Sequence, residues 1–239
     1  MSSSLRLLVF DLDGTLIDSS EDLTNSVNAM LVHLGKSPLP HAVISSYIGD
    51  GAAMLVRRAL GDPGDADSAA PAHDEEFQTA FRYFLSYYRE HKLDNTRPYP
   101  GVLDALQTLR ALFPNASMAI LTNKPVGPSR DICDALGLSP YFFQNYGGDS
   151  FPTKKPDPTG LLQLIQEASA LQGQPLLPDE VVMIGDSDVD VLTARRASTR
   201  ALGCSYGLAP YSLTLAEPDS IVATPSEWPA ALQHLFSQS

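Results

Sequence analysis

Short, mostly apolar runs that stop at acidic, amide or hydroxyl residues place the strongest constraint on this chain. Residues 5–10 stop at Asp11, residues 117–121 at Thr122 and Asn123, and residues 181–184 at Gly185 and Asp186. Runs of this length without strict alternation suit strands covered on both faces, as in a parallel sheet. Residues 142–146, 200–205 and 220–223 are weaker strand candidates. Between the runs, residues 101–112, 158–171 and 188–197 carry the apolar stripe of helices packed on a sheet. The alternation predicts a doubly wound α/β fold.

Residues 17–97 interrupt that alternation. They show helical patterns at 22–34, 46–60 and 74–91 and no good strand, which predicts an all-helical insert after the first strand. The expected division is a core of residues 1–16 and 98–239 with a small helical cap of residues 17–97. Residues 61–72, rich in Gly, Asp, Ser, Ala and Pro, are expected to form an exposed flexible loop. Residues 96–101 are expected to be the hinge back into the core, with paired prolines disfavouring regular structure there.

Composition narrows the partners. The 16 Lys and Arg against 28 Asp and Glu give a net charge of −12, a field that repels nucleic acid. Charged residues are only 18% of the chain, so a cluster of cations within it is informative. The two cysteines, Cys133 and Cys204, are not in CxxC spacing, which fits a reducing cytoplasm and argues against a zinc site. The first apolar run is broken by Asp11, far short of a membrane-spanning segment.

In an open parallel sheet, ligands bind at the carboxyl ends of the strands. Asp11 and Asp13, two residues apart, lie on one side of extended backbone. Two close carboxylates resist joint ionisation, so a cation stabilises them or one keeps a proton; one can then act as nucleophile or ligand and the other as general acid. Gly14 lets backbone approach a ligand closely. Thr122 and Asn123 offer a hydroxyl and an amide to a phosphate oxygen. Lys154 and Lys155 offer ammonium groups to phosphoryl oxygens, and Asp186, followed by Asp188 and Asp190, suits an oxygen-ligated Mg²⁺. Taken singly, the Asp11/Asp13, Thr122/Asn123 and Lys154/Lys155 segments read more readily as an acidic turn, simple turn or solvated surface pair, and residues 186–190 equally well as an acidic helix cap. There is no G-x-x-x-x-G-K-[ST] and no G-x-S-x-G, and the five histidines lie outside these clusters.

Together, residues 10–16 (FDLDGTL), 121–124 (LTNK), Lys155-Pro156 and residues 185–190 (GDSDVD) resemble, in order and spacing, the motifs of the haloacid dehalogenase superfamily. Residues 47–51 (YIGDG), 99–102 (YPGV), 122–125 (TNKP) and 147–150 (GGDS) are similar to its phosphoglycolate phosphatase group, with Asp157 where that group often has histidine. The resemblance implies a Rossmann-like core with a helical cap and a Mg²⁺-dependent phosphatase, with 2-phosphoglycolate as the expected substrate. It implies that Asp11 attacks phosphorus and that Asp13 protonates the leaving alkoxide and then activates water. It further implies that Thr122, Asn123 and Lys155 hold the phosphoryl group, and that Asp11, the Asp13 carbonyl and Asp186 bind Mg²⁺ with Asp190 in support. Arg57, Arg58 and residues 47–51 are candidates for a substrate carboxylate. A phosphomutase of the β-phosphoglucomutase kind, a pyrophosphatase or a nucleotidase are the alternatives. The expected partner is a small phosphorylated molecule, with no membrane or nucleic acid, and the chain is expected to be a monomer or homodimer.

Overall fold

The computed structural model describes residues 5–62 and 75–237. Most of the expected loop at 61–72 lies outside the described residues. The main sheet contains β1 (Leu7–Phe10), and the chain continues through β2 (Ile17–Asp18), β3 (Arg97–Pro98), β4 (Ser117–Leu121), β5 (Gln144–Tyr146), β6 (Val181–Gly185), β7 (Arg200–Cys204) and β8 (Ser220–Val222). Six of these form one sheet in the order β5-β4-β1-β6-β7-β8, and every pairing in it is parallel. The expected α/β sheet is therefore present.

The helices are α1 (Ser20–His33), α2 (His41–Ser45), α3 (Ala52–Ala59), α4 (Glu75–His91), α5 (Val102–Leu112), α6 (Val126–Ala135), α7 (Thr159–Gln172), α8 (Asp188–Arg196), α9 (Pro210–Ala216) and α10 (Trp228–Ser237). β1 shows why its run lacks a polar face. Leu8 and Phe10 enter a core shared with Leu106 of α5, Ile132 of α6 and Trp228 of α10. Leu7 and Val9 enter the opposite core with Leu164 of α7, Val191 of α8 and Leu213 of α9. Side chains alternate across a strand, so a strand between two helical layers must be apolar at every position.

Phe10 is in register with Ile120 on one side and Ile184 on the other. Asp11, Thr122 and Asp186 therefore emerge at the same edge of the sheet. The chain builds outward from β1 through β4 and β5, then returns to β6 on the other side. That reversal opens the crevice in which α/β sheets bind ligands.

Between β2 and β3, helices α1 to α4 bury a cluster of their own that includes Val27, Met30, Ile44, Val56 and Phe84. Of the expected helix over residues 46–60 only Ala52–Ala59 forms, as α3; residues 46–51, which follow α2, are not helical. Gly49 and Gly51 take φ values of 126° and 88°, in a region that cannot continue a right-handed helix. The return at 96–101 also departs from expectation, because Arg97–Pro98 pairs antiparallel with Ile17–Asp18. An edge position leaves proline without a required donor. Beside this ribbon, the buried Asp22 carboxylate accepts from the main-chain N–H of Asn95 at 3.0 Å and of Thr96 at 2.8 Å, and from the Thr96 hydroxyl at 2.7 Å. These charge-assisted bonds fasten α1 to the returning strand. Among the described residues, no helix is long and apolar enough to cross a membrane.

Candidate active site

Asp11 follows directly from β1, its N–H donating to Ile184 O at 2.8 Å. Its side chain is buried. Lys155, from the loop before α7, places Nζ 2.9 Å from Asp11 Oδ1 and 2.6 Å from Asp190 Oδ1. Asp190 is held from its other oxygen by Ser187 N–H at 3.2 Å and Ser187 Oγ at 2.9 Å, a capping box that opens α8. Asp186 accepts from Leu208 N–H at 2.7 Å and Thr15 Oγ1 at 3.4 Å.

Carboxylate oxygens of Asp11, Asp186 and Asp190 lie within 4.8 Å of one another, and all three residues are buried. One ammonium against three carboxylates leaves two negative charges uncompensated when all are ionised. Burial pushes Asp11 up from 3.8 to about 6, with Lys155 pulling it down and Asp190 adding to the rise. Burial, then Asp11 and Asp190, raises Asp186 well above the usual carboxylate range. Lys155 is held above the ordinary lysine range, because Asp11 and Asp190 outweigh the opposing effect of burial.

Asp11 Oδ1, in ion-pair contact with Lys155, receives no hydrogen bond. Gly14 has φ 88°, and a Cβ there would stand 2.2 Å from Asp186 Oδ2. A tight glycine turn thus brings main chain against a carboxylate-rich centre. Hard oxygen donors and a surplus of two negative charges fit a divalent cation.

Asp13 points elsewhere. It accepts from Ser19 Oγ, and Lys124 Nζ lies 3.0 Å from each of its oxygens. Asp11 and Asp13 both line a cleft closed on the sheet side by Thr122, Asn123 and Lys124 and on the other by Ile48, Leu55, Phe84 and Tyr88. Lys124 is buried, and its ammonium sits 4.8 Å from the centroid of the Tyr88 ring. Burial works to lower Lys124, yet Asp13 and Tyr88 hold it above the ordinary range. Burial pushes the Tyr88 phenol up to about 12.

Thr122 is buried at the end of β4, its hydroxyl accepting from Lys124 N–H at 3.2 Å. The Asn123 amide donates to Gly49 O at 3.1 Å and Lys155 O at 3.0 Å, which ties the α2–α3 turn to the core. Of the lysine pair, Lys155 enters the acidic centre, whereas Lys154 donates to Asp50 O. Arg57 pairs with Asp62 at 2.7 Å, and Arg58 pairs with Asp50 and donates to Tyr47 O at 3.1 Å. Neither arginine lines the cleft, while Ile48, Gly49 and Gly51 do. Both cysteine thiols are buried and pushed up to about 12 by that burial, so they stay protonated and unreactive. The roles of Lys124 and Tyr88 are not apparent from the sequence reading; the one available signal is a lysine placed directly after Thr122 and Asn123.

Residues 8–204 match the family model for haloacid dehalogenase-like hydrolases. The chain is 40% identical over 205 residues to a phosphoglycolate phosphatase of Chromobacterium violaceum, covering 86% of this chain and 87% of that one. It is 37% identical over 224 residues to a phosphoglycolate phosphatase of Neisseria meningitidis, covering 94% and 88%. Among solved structures, a predicted phosphoglycolate phosphatase from Haemophilus somnus superposes with a TM-score of 0.83 at 29% identity, over 96% of this chain and 98% of that one. With the carboxylates and lysine gathered at the sheet edge, these likenesses establish that the chain belongs to the haloacid dehalogenase-like hydrolases.

Proposed function

We propose that this chain is a Mg²⁺-dependent phosphatase that hydrolyses 2-phosphoglycolate to glycolate and phosphate through an aspartyl-phosphate on Asp11. The observation that carries the reading is a buried Asp11 in contact with Lys155, beside Asp186 and Asp190, at a cleft that Asp13 also lines. Asp11, the main-chain carbonyl of Asp13 and Asp186 would hold Mg²⁺, with Asp190 in support. The ion would neutralise charge between an anionic nucleophile and a phosphate monoester, which otherwise repel.

Asp11 attacks phosphorus in line, forming a carboxylate–phosphorus bond as the bond to the glycolate oxygen breaks. Asp13 gives its proton to that leaving oxygen, because an alkoxide departs poorly without one. Asp13 then takes a proton from water, the water oxygen attacks phosphorus, and the bond to Asp11 breaks to release phosphate. Lys155 steadies Asp11, Thr122 offers its hydroxyl to a phosphoryl oxygen, and Asn123, with its amide engaged, offers its main-chain N–H.

The cap side chains lining the cleft are apolar apart from Tyr88, including Leu23, Ile48, Leu55, Phe84 and Leu85. Such walls suit a short substrate with few hydroxyl groups better than a sugar phosphate or nucleotide, whose polar groups they would leave unpaired. Phosphate release from a panel of 2-phosphoglycolate, β-glucose 1-phosphate, pyrophosphate and nucleoside monophosphates tests this reading. The expected result is a kcat/KM for 2-phosphoglycolate at least about tenfold above the rest, abolished by a chelator and restored by Mg²⁺. Preference for any other member contradicts the substrate assignment.

A further inference from the structure

Two buried side-chain atoms that receive no hydrogen bond, Asn123 Oδ1 and the Tyr88 hydroxyl, belong to residues lining one cleft. Buried polar groups without partners are uncommon in native proteins, and their grouping around a cavity marks a place where a polar ligand completes them. The steps assigned above to Asp11 and Asp13 leave the Tyr88 hydroxyl without a role and use Lys124 only through its contact with Asp13.

Those two residues adjoin each other. The Lys124 ammonium lies 4.8 Å from the Tyr88 ring centroid and is fixed by both oxygens of Asp13 at 3.0 Å. An ammonium has three donors, so pairing with Asp13 leaves capacity for a further anionic oxygen. The phenol offers one more donor. Arg57 and Arg58, the cap cations nearest the residue 47–51 turn in sequence, are engaged with Asp62 and Asp50 and do not line the cleft. Lys155 sits in the acidic centre between Asp11 and Asp190.

We infer that Lys124 and the Tyr88 hydroxyl together recognise the carboxylate of a short phosphorylated acid while its phosphoryl group lies at Asp11. The inference rests on the phosphatase reading above and deepens it by naming the residues that select the acid. Core and cap each supply one partner, since Lys124 follows β4 and Tyr88 belongs to α4. The carboxylate therefore bridges the two parts across the cleft, and a neutral ester of the same size cannot do so.

Two esters of nearly equal shape separate this role from a general one: 2-phosphoglycolate and 2-hydroxyethyl phosphate, which has a hydroxymethyl group in place of the carboxylate. The readout is the ratio of their kcat/KM values in wild type, Lys124→Gln and Tyr88→Phe, with folding checked by circular dichroism. Wild type is expected to favour the acid. Lys124→Gln is expected to cut the ratio by about 10- to 100-fold, mainly through the KM for 2-phosphoglycolate, and Tyr88→Phe by a few-fold, as expected for hydrogen bonds to a charged group. Equal losses on both esters, leaving the ratio unchanged, would overturn the inference and reduce Lys124 to a support for Asp13. A wild type that turns over both esters alike contradicts the underlying substrate reading instead. A second arm needs no variant: glycolate is expected to compete with 2-hydroxyethyl phosphate where ethylene glycol at the same concentration does not. Equal inhibition by the two would also overturn the inference.

Discussion

Asp11→Asn is expected to lose phosphatase activity by roughly 10⁴-fold or more while gaining thermal stability in metal-free solution above pH 6. The loss follows from removing the proposed nucleophile, because a neutral amide of the same shape does not attack phosphorus. The gain follows from the charge balance. Asp11 is raised from 3.8 to about 6 by burial, so the folded state holds its proton more tightly than the unfolded chain does. Its contribution to stability is full below pH 3.8, declines as the pH rises to about 6, and stays at its unfavourable limit above that. Asparagine, which carries no charge, removes that penalty. Phosphate-release assays and thermal melts at pH 8 without metal read the two effects separately. An inactive variant that melts lower than wild type would mean damage to the fold rather than loss of a nucleophile.

Lys155→Met is expected to move stability the other way. Lys155 is buried and contacts Asp11 at 2.9 Å and Asp190 at 2.6 Å. Methionine keeps much of the apolar stem but leaves buried carboxylates facing one another without their ammonium, a loss of about 3–5 kcal/mol when one partner of a buried pair is removed. Saturating Mg²⁺ should recover part of it, since an ion bound only by the folded state stabilises that state. Turnover should fall by about 10³-fold, as for the loss of a charge that steadies the reacting groups. Denaturant melts with and without Mg²⁺ check the prediction. Wild-type stability in the variant would show that Lys155 does not carry the charge balance of the site.

The opposite signs expected of these variants reflect how the sequence encodes the centre. The strands β1, β4 and β6 are legible because burial on both faces leaves them little freedom of composition, and Ser117–Leu121 coincides with its apolar run. Their parallel alignment then brings Asp11, Thr122 and Asp186 to one edge. Lys155 and Asp190 reach the same place from loops and helix starts far along the chain, and only the recurring motif spacing hints at it.

Where side chains turn after leaving the strands is not legible. Asp13 and Asp11 alternate with Leu12, yet Asp13 is drawn to Lys124 and Ser19 rather than into the acidic centre. Asn123 spends its amide on Gly49 O and Lys155 O, a choice fixed by the position of the cap. Arg57 and Arg58 suit a substrate acid by composition alone, but nearby Asp62 and Asp50 take them up. Local chemistry also hides elements: α6 carries Gly127 and Pro128 in its first turn, where proline is tolerated although the pair reads as a bend. The break between α2 and α3 depends on backbone angles at Gly49 and Gly51 that residue type permits without demanding.

The claim on which the rest depends is that Asp11 becomes covalently phosphorylated during turnover. Rapid acid quenching of enzyme mixed with 2-phosphoglycolate and Mg²⁺, followed by peptide mass analysis, measures it directly. One phosphoryl group is expected on the peptide containing Asp11, formed before phosphate release and absent from the Asp11→Asn variant. Steady turnover with no phosphorylated peptide at the earliest quench times, or with the phosphoryl group on another residue, would contradict it.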